Sequence, residues 1–401
     1  MSIIVQKFGG TSVGTVERIK NVADLIISEK NKGNEVIVVV SAMATVTNGL
    51  FSLVKDNFDI VDYRLEAEFD SILATGEQVS SALLAIALQS KGYKARSYLG
   101  WQIPIMTDSK YGEARIKNID TKFFLGEEIP VIAGFQGVDG YNRITTLGRG
   151  GSDTTAAAIA AAVKAKRCDI YTDVEGIFTC DPKIVKNAKK LDRISYEETL
   201  EIASLGAKVL QRRSVEIAMN YNIPLRVLSS FNKDSGTMLT KENKQMEKRI
   251  ITAVTYTRNE ARVNISGVPV TKGAVSIFDH LDDVNIDTIV QNMHSDGSSL
   301  NVTFTVPGSE LKKTVERLQK NKQYIEYRDL VSEENLAKVS VVGVGMKSQA
   351  GVARDMLRAL FDKSIDVKVI STSEIKISVI IAEEYLELAV RTLHSTFELE
   401  R

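Results

Sequence analysis

The sequence predicts an α/β protein with a largely parallel sheet, followed by two smaller ferredoxin-like βαββαβ units. Three observations carry this prediction. In residues 1–232, short apolar segments alternate with segments whose apolar residues recur at helical spacing. Near Asn232 the composition becomes polar and charged, as at a domain boundary. Beyond this point one pattern of segments occurs twice.

The elements of the first part follow in order from the apolar pattern. Residues 3–7 are β-branched and loosely alternating, which predicts a strand, and helical spacing runs from Val16 to Ser28. EVIVVVSAM at 35–43 is apolar throughout, as in a strand covered by helices on both faces. Further strands are predicted at 94–99, 129–134, 168–172 and 224–229, and helices at 65–92, 153–166, 195–203 and 207–221. Strands that alternate with helices in this way indicate a three-layer α/β sandwich.

The repeated pattern lies at 261–287 and again at 337–366. Gly267 aligns with Gly343, and Gly273 aligns with Gly351. Each copy has the order strand, turn, helix, strand, strand, helix, which is typical of a βαββαβ unit. The predicted organisation is a domain at 1–232, a linker at 233–260 and two small domains at 261–330 and 337–401.

Composition excludes several classes of protein. The chain has 401 residues, too many for one ordinary core. Lys+Arg and Asp+Glu are both 51, which disfavours nucleic acid as a partner. The two cysteines, Cys168 and Cys180, provide no disulfide framework and favour the cytosol, and three scattered histidines disfavour a His-rich metal site. The N-terminus reads directly as a strand, so we expect no signal sequence or membrane anchor.

The opening segment, KFGGTSVG, has the pattern of an anion site. Lys7 ends a strand, and Gly9 and Gly10 precede a helix whose first N–H groups have no partner within the helix. Glycine allows close approach of the backbone, and lysine adds a positive charge. Neither GxxxxGK[ST] nor GxGxxG is present. From these residues alone, a glycine turn with a solvated lysine is an equally good interpretation.

Two later loops favour the phosphate site. In TLGRGGSDTTA at 146–156, Arg149 lies beside glycines at the start of an Ala-rich helix, where arginine suits a carboxylate or phosphate. Ser152 is a good N-cap residue, and Arg149 as a solvated side chain remains an alternative. The loop CDIYTDVEGIFTCDPK at 168–183 follows a strand, and nucleotide sites of open α/β sheets lie at the carboxyl ends of strands. An ordinary connection is the alternative for this third loop.

These motifs together resemble the aspartokinase family. The resemblance rests on KFGGTSV at 7–13, ATGE at 74–77, TLGRGGSDTTA at 146–156, YTDVEGIFTCDP at 171–182, GAKVLQ at 206–211 and STSEIKISV at 371–379. It implies a carbamate kinase-like amino-acid kinase domain and two ACT domains. The implied reaction is ATP-dependent phosphorylation of the side-chain carboxylate of L-aspartate to 4-phospho-L-aspartate, the first step towards lysine (through diaminopimelate), threonine and methionine.

The resemblance also implies roles for individual residues. The implied catalytic residues are Lys7, Asp153 and Lys208, and those that contact aspartate are Ser41, Thr47, Glu77, Arg149, Gly151 and Ser152. The implied nucleotide residues are Lys7, Gly9, Gly10, Thr172, Asp173, Phe178, Asp181, Lys183 and Lys208. Phe178 and Lys183 stand where relatives often have Tyr and Arg, so altered contacts are expected there. Without the resemblance, Glu77 reads as a solvated carboxylate on a long helix.

The chemistry is consistent with these roles. A carboxylate nucleophile is already ionised at pH 7, so no general base is needed. Phosphoryl transfer depends on positioning and on neutralising charge, for which Lys7, Lys208 and a Mg²⁺ ion on ATP are suited. Asp153 is expected to hold Lys7 in place. Arg149 is expected to bind the α-carboxylate of aspartate, and Glu77 its ammonium group.

The ACT resemblance implies feedback regulation, by lysine alone or together with threonine. The matching effector-binding residues are Lys272, Gly273, Ala274, Asn285, Asp287 and Gln291 in the first copy, and Gln349, Ala350, Gly351, Asp366 and Thr372 in the second. Alternatively, these turns only shape the fold and a dimer interface. We expect a homodimer or higher oligomer through the ACT domains. An internal start at Met246, giving a short regulatory subunit, is a further hypothesis beside an ordinary linker methionine.

Two rival classes are disfavoured by the motifs. Acetylglutamate and glutamate kinases share the opening loop but usually lack the combination of ATGE, GRGGSD and paired ACT units. An amino-acid sensor with an inactive kinase domain is expected to lack Lys7, Asp153 or Lys208, and all three are present. The length also disfavours a fusion with homoserine dehydrogenase.

Overall fold

The chain divides into two compact units. The computed structural model describes residues 2–58, 63–124, 126–205, 210–232, 235–241 and 250–400, with only the backbone described at 63–65, 347 and 348. Unit 1 comprises Met1–Ile177, Lys190–Ser204 and Lys208–Asn243, and unit 2 comprises Phe178–Lys189, Leu205–Ala207 and Lys244–Arg401.

Unit 1 contains an eight-stranded sheet and a four-stranded sheet. Its strands are β1 (Ile3–Phe8), β2 (Glu35–Val40), β3 (Ala95–Tyr98), β4 (Ile105–Thr107), β5 (Ile116–Ile119), β6 (Ile129–Ala133), β7 (Gln136–Val138), β8 (Ile144–Thr146), β9 (Arg167–Thr172), β10 (Arg193–Ser195), β11 (Leu225–Ser229) and β12 (Thr237–Thr240). The large sheet has the order β10-β12-β11-β9-β1-β2-β6-β3, and its strands pair in parallel except for β11 with β12. The small sheet has the order β5-β4-β7-β8. The predicted largely parallel sheet is confirmed.

The helices of unit 1 match the predicted segments with shifted ends, except for α2, which was not predicted. They are α1 (Val16–Lys30), α2 (Val46–Lys55), α3 (Tyr63–Leu73), α4 (Thr75–Ser90), α5 (Gly151–Ala162), α6 (Tyr196–Ser204) and α7 (Arg212–Tyr221). The segment 65–92 therefore contains two helices that meet at Ala74. The predicted helix at 207–221 begins only at Arg212, and residues 206–209 lie outside the described residues.

The packing of the core of unit 1 explains the apolar spacing in these helices. Apolar residues of α1 and α4, such as Ile26 and Leu88, pack against Val36 and Val38 of β2. The stretch Glu66–Ser90 is long and apolar enough to cross a membrane, but 56% of its most apolar window is buried inside the fold. This stretch therefore packs in the same way as the core helices of globular domains.

Unit 2 is built on one six-stranded antiparallel sheet in the order β14-β15-β13-β16-β18-β17. Its strands are β13 (Ala253–Pro269), β14 (Ile289–Met293), β15 (Ser299–Pro307), β16 (Asp329–Val342), β17 (Val369–Thr372) and β18 (Lys376–Ala382). Its helices are α8 (Val275–Phe278), α9 (Gly308–Lys320), α10 (Lys322–Ile325), α11 (Val352–Phe361) and α12 (Leu386–Thr396).

The two copies of the repeat share the long strands β13 and β16. Residues 262–266 of β13 pair with 329–333 of β16 and complete the first copy, whereas 253–257 pair with 338–342 and complete the second. A register shift between Thr257 and Arg262 separates the halves. The second copy thus takes its fourth strand from residues that the sequence assigns to the linker at 233–260. In the described chain no strand follows α12, so this segment covers what would otherwise be an open edge of β16.

Candidate active site

Lys7 and Asp153 form a buried ion pair at the carboxyl end of the large sheet. Lys7 is the penultimate residue of β1, and Asp153 lies in the first turn of α5. Their charged groups are 2.5 Å apart, and the two residues are each 8% exposed. Separating or removing either partner would leave an uncompensated buried charge, which is strongly unfavourable. The two charged groups are therefore held together in one geometry. The expected contact is present, and the solvated-lysine alternative for Lys7 is wrong.

The glycine pair lies between the ends of two strands. Gly9 donates its backbone N–H to the carbonyl of Tyr171 in β9 (3.0 Å), and Ala44 donates to the carbonyl of Gly10 (3.1 Å). A Cβ atom at Gly10 would lie 2.8 Å from the carbonyl oxygen of Ala42. Only glycine fits this position without a shift of the backbone. The half-buried loop also places no side chain between its backbone and Lys7, whose Nζ would lie 3.5 Å from a Cβ at Gly9.

Glu77 is buried near Lys7, at the start of α4. The residue is 3% exposed, and its Oε2 atom has no hydrogen-bond partner. Burial raises the pKa of Glu77 to about 7, against the opposing effects of the Ala42 N–H and the Lys7 charge. The alternative that Glu77 is solvated is therefore wrong. An unpaired buried carboxylate oxygen is suited to a cationic group from a ligand.

Ser41 and Thr47 flank the same end of the sheet. Ser41 follows β2, donates its N–H to the carbonyl of Phe8 (3.0 Å) and accepts a bond from the Ser80 hydroxyl (2.7 Å) at its own carbonyl. Thr47 is half-buried in the first turn of α2, just after Thr45, whose φ is 72°. Both hydroxyls thus lie on segments that follow directly from the carboxyl end of β2.

The loop before α5 is shaped by glycines. Gly148 and Gly150 have φ of 78° and 66°, and a Cβ at Gly150 would lie 1.6 Å from Cγ of Gln211. Gly150 occupies the N-cap position, so the alternative interpretation of Ser152 as the N-cap residue is wrong. Ser152 is instead buried, against the backbone of Gly134, where a Cβ would lie 2.9 Å from the Ser152 Cβ. Gly151 and Ser152 enter the helix immediately before Asp153.

Arg149 is exposed on this loop and lines a cavity of about 530 Å³. The charged residues that line this cavity are Lys110, Glu113, Arg115, Arg149, Arg213 and Glu216. Ser41, Glu77 and Lys7 are not among the residues that line it. The structure therefore brings Lys7, Asp153 and Glu77 together. It places the side chain of Arg149, which precedes Asp153 closely in sequence, in a cationic cavity that is lined by other residues.

The predicted nucleotide residues divide between the two units. Thr172 ends β9, and its hydroxyl donates to Asp173, which is exposed (3.1 Å). Phe178, Asp181 and Lys183 belong to unit 2. There Asp181 accepts bonds from the Lys183 N–H (2.9 Å) and the Tyr256 hydroxyl (2.8 Å). Lys208 and Met246 lie outside the described residues.

The predicted effector residues differ in their surroundings. In the second copy, Gln349, Gly351 and Thr372 line a cavity of about 460 Å³, whereas Asp366 is exposed and does not line it. In the first copy three of the charged or amide residues already have a partner. Lys272 pairs with Glu326 (3.1 Å), Asn285 with Glu310 (3.2 Å) and Asp287 with the buried Lys338 (2.5 Å). Gly273 has a φ of 66°, Ala274 precedes α8, and Gln291 lies on the edge strand β14.

Several residues that shape the site were missed from the sequence. Asp70 is 1% exposed and accepts bonds from the N–H and hydroxyl of Thr146 and from the N–H of Gly112. Arg213 binds two carbonyl groups near the Arg149 loop. For Asp70, the only signal in the sequence was an aspartate on the apolar face of α3, within LEAEFDSIL. In contrast, the cysteines are free and buried as expected, and burial raises the pKa of Cys180 to about 12.

Comparisons with known proteins agree with this geometry. A model of the amino acid kinase family matches residues 2–229, and an ACT domain model matches 339–397. The aspartokinase of Pseudomonas aeruginosa is 50% identical over 409 residues, covering 100% of this chain and 98% of that protein. Aspartokinase 2 of Bacillus subtilis is 47% identical over 410 residues, covering 100% and 99%.

Solved structures give the same result. Escherichia coli aspartokinase III in complex with aspartate and ADP, in the R-state, matches with a TM-score of 0.80 and 26% identity over 98% of this chain and 99% of that chain. The same enzyme with lysine and aspartate, in the T-state, matches with a TM-score of 0.77 and 25% identity over 98% and 99%.

The chain therefore belongs to the amino acid kinase family and carries an ACT domain in its C-terminal part. Within that family it belongs to the aspartokinases, which phosphorylate the side-chain carboxylate of aspartate with ATP. The resemblance drawn from the sequence motifs is confirmed.

Proposed function

We propose that the site around Lys7 and Asp153 transfers the terminal phosphoryl group of ATP to the side-chain carboxylate of L-aspartate, giving 4-phospho-L-aspartate. The buried Lys7–Asp153 pair beside the half-buried glycine pair Gly9–Gly10 is the observation that carries this proposal. A fixed positive charge and bare N–H groups are what a transferring phosphoryl group requires.

The reaction needs charge neutralisation more than acid–base catalysis. The substrate carboxylate, with a reference pKa of about 4, is ionised at neutral pH and attacks the terminal phosphorus directly. Lys7 stabilises the charge on the transferring group, and Asp153 holds the Lys7 ammonium in place. Lys208 is proposed as a second cation for the same group.

Mg²⁺ fits this site as an ion that arrives with the triphosphate. Among the described residues, no group of three or more His, Cys, Asp or Glu could hold a metal by itself. Mg²⁺ commonly binds through one or two carboxylates together with substrate phosphates, and Asp153 is the carboxylate that this site offers. When bound, the ion neutralises charge on the phosphate oxygens.

We assign the recognition of the two α groups of aspartate to two charged side chains. Glu77 pairs with the α-ammonium group, which its buried, unpartnered Oε2 atom supports. Arg149 binds the α-carboxylate, for which a guanidinium is suited by its paired donors. The hydroxyls and backbone that complete the aspartate site are Ser41, Thr47, Gly151 and Ser152. Those that complete the nucleotide site are Gly9, Gly10, Thr172, Asp173, Phe178, Asp181 and Lys183.

We assign regulation to the ACT repeat, with lysine as the effector, alone or with threonine. The cavity at Gln349, Gly351 and Thr372 supports an effector site in the second copy. The remaining proposed effector residues are Lys272, Gly273, Ala274, Asn285, Asp287, Gln291, Ala350 and Asp366. The proposed domains, 1–232, 261–330 and 337–401, the assembly as a homodimer or higher oligomer and the cytosolic location belong to the same proposal.

The test is formation of aspartate hydroxamate with ATP and Mg²⁺ in the presence of hydroxylamine, which traps the acyl phosphate. Glutamate and acetylglutamate serve as competing substrates. Arg149→Ala should raise the aspartate KM by about 100-fold, as expected for the loss of a bidentate charged contact of about 3 kcal/mol, while the ATP KM changes little. Arg115→Ala, in the same cavity, is the matched control. Equal damage to both KM values would contradict the assignment of Arg149.

A further inference from the structure

The Arg149 loop is held by a guanidinium group that lines the same cavity and has no role in the proposed chemistry. Arg213 lies in the first turn of α7 and is partly buried. Its Nη1 donates to the carbonyl of Leu147 (2.6 Å), and its Nη2 donates to the carbonyl of Ala114 (2.9 Å). Leu147 and Ala114 are buried, so without Arg213 both carbonyls would lose their charged donor. A single side chain thus joins two segments that are distant in sequence.

The residue just before Leu147 is fixed as well. Thr146 donates its N–H (2.6 Å) and its hydroxyl (2.7 Å) to the carboxylate of Asp70, and its carbonyl accepts the Ala114 N–H (2.9 Å). Asp70 also accepts the N–H of Gly112 (3.0 Å). Thr146, Leu147, Gly112 and Ala114 therefore form one hydrogen-bonded block between Asp70 on one side and Arg213 on the other.

The loop beyond this block bends at two glycines with positive φ. Gly148 and Gly150 flank Arg149, and Gln211, two residues before Arg213, packs directly on Gly150. Arg149 therefore projects from a segment whose start is bound by Arg213 and whose end is covered by Gln211. Because two flexible glycines flank Arg149, its direction depends on where these two anchors hold the chain.

We propose that Arg213 is a positioning residue for aspartate recognition: its two bonds to Leu147 and Ala114 fix the loop from which Arg149 reaches the substrate carboxylate. The inference rests on the proposed role of Arg149. A ligand contact that is misplaced by about 1 Å can lose much of its contribution, which is why a residue that does not touch the substrate affects binding. Arg213 makes its contribution to the aspartate KM through Arg149 and none to nucleotide binding.

Arg213→Lys is the sharpest variant. A lysine has one ammonium group and cannot span both carbonyls as the guanidinium fork does. The aspartate KM should rise about tenfold, the equivalent of one charged hydrogen bond, while kcat and the ATP KM stay within about twofold. Arg213→Gln, with a shorter side chain, should give a larger rise in the same constant. Arg212→Lys is the matched control, since Arg212 is exposed and pairs only with Glu216 on the same helix.

A double-mutant cycle with Arg149→Ala separates positioning from general damage. In the Arg149→Ala background, Arg213→Lys should change the aspartate KM by less than about twofold, because coupled residues are not additive. An undiminished tenfold effect in that background would overturn the inference. So would a lowered unfolding midpoint of Arg213→Lys with an unchanged aspartate KM, which indicates a purely structural role.

The results that would refute the proposed role of Arg149 differ from those that would refute only the role of Arg213. If Arg149→Ala alone leaves the aspartate KM unchanged, the proposed role of Arg149 is refuted. The positioning role of Arg213, which depends on it, is then refuted as well. If Arg149→Ala has its expected effect and neither Arg213 variant changes the aspartate KM, only the positioning role is overturned.

Discussion

Replacing Glu77 by glutamine should stabilise the ligand-free protein and at the same time weaken aspartate binding. The Glu77 carboxyl is 3% exposed, and one of its oxygens has no hydrogen-bond partner. Burial raises its pKa from 4.5 to about 7, so a charge at this position is costly until a cation reaches it. Glutamine keeps the shape of the side chain and removes the charge.

The size and sign of the stability effect follow from this pKa. The folded state holds the Glu77 proton more tightly than the unfolded chain, so the free energy of unfolding falls as the pH rises from 4.5 to about 7. The full difference is worth about 3 kcal/mol. Glu77→Gln should therefore match the wild type near pH 4.5 and exceed it by about 3 kcal/mol above pH 7.

Urea unfolding of the ligand-free protein at pH 5 and pH 8 measures this difference. Glu128→Gln, at an exposed site, is the control and should give the same small change at both pH values. Aspartate binding provides the second readout. Since the substrate ammonium needs the ionised carboxylate, the wild-type aspartate KM should fall as the pH rises towards 7, and binding should release a proton that calorimetry in two buffers can count.

Glu77→Gln should have a higher aspartate KM that no longer depends on pH in this range. A stability gain of equal size at pH 5 and pH 8 would refute the argument, because a gain without pH dependence does not come from a buried charge. An unchanged aspartate KM would refute the pairing of Glu77 with the substrate ammonium and leave the stability argument intact.

Two further variants test the phosphate site and the effector site. Lys7→Ala should lower kcat by about 100-fold or more, since Lys7 acts on charge that develops in the transition state, and steady-state kinetics against Lys20→Ala at an exposed site of α1 measures it. Near-normal turnover of the Lys7→Ala variant would indicate that the KFGG loop is only a turn with no role in catalysis. Gly273→Val places a branched side chain at a φ of 66° and should relieve inhibition by lysine, assayed as activity with and without the amino acid. Gly297→Val, at a φ of 71° with open surroundings, carries the same backbone strain and should remain inhibited; if both variants lose inhibition, strain alone accounts for the effect.

The fold class was predictable because its signals are local. The apolar segments 3–7 and 35–43 became β1 and β2, and helical spacing from Val16 became α1. The ends of elements were less predictable. The helix expected from 207 starts at Arg212, and 65–92 divides at Ala74, because helix ends depend on what packs and caps them there.

The exchange of strands between the two repeats was not predictable from either copy. Residues 253–257 fall within the predicted linker at 233–260, yet they form the fourth strand of the second copy. The sequence contains the repeat, but an edge strand is chosen by which segment can reach the open edge of the sheet, and this is a property of the assembled chain.

The family, the parallel sheet and the loops that carry Lys7, Arg149 and Asp153 could be predicted from the sequence alone, because motif spacing and periodicity are encoded over a few residues. The burial of Glu77 with one unpaired oxygen, and the bonds by which Asp70 and Arg213 hold the Arg149 loop, became visible only in the folded chain. The pKa of a carboxyl and the partner of a carbonyl depend on exclusion of water by segments far apart in the chain, and no short stretch of sequence contains that information.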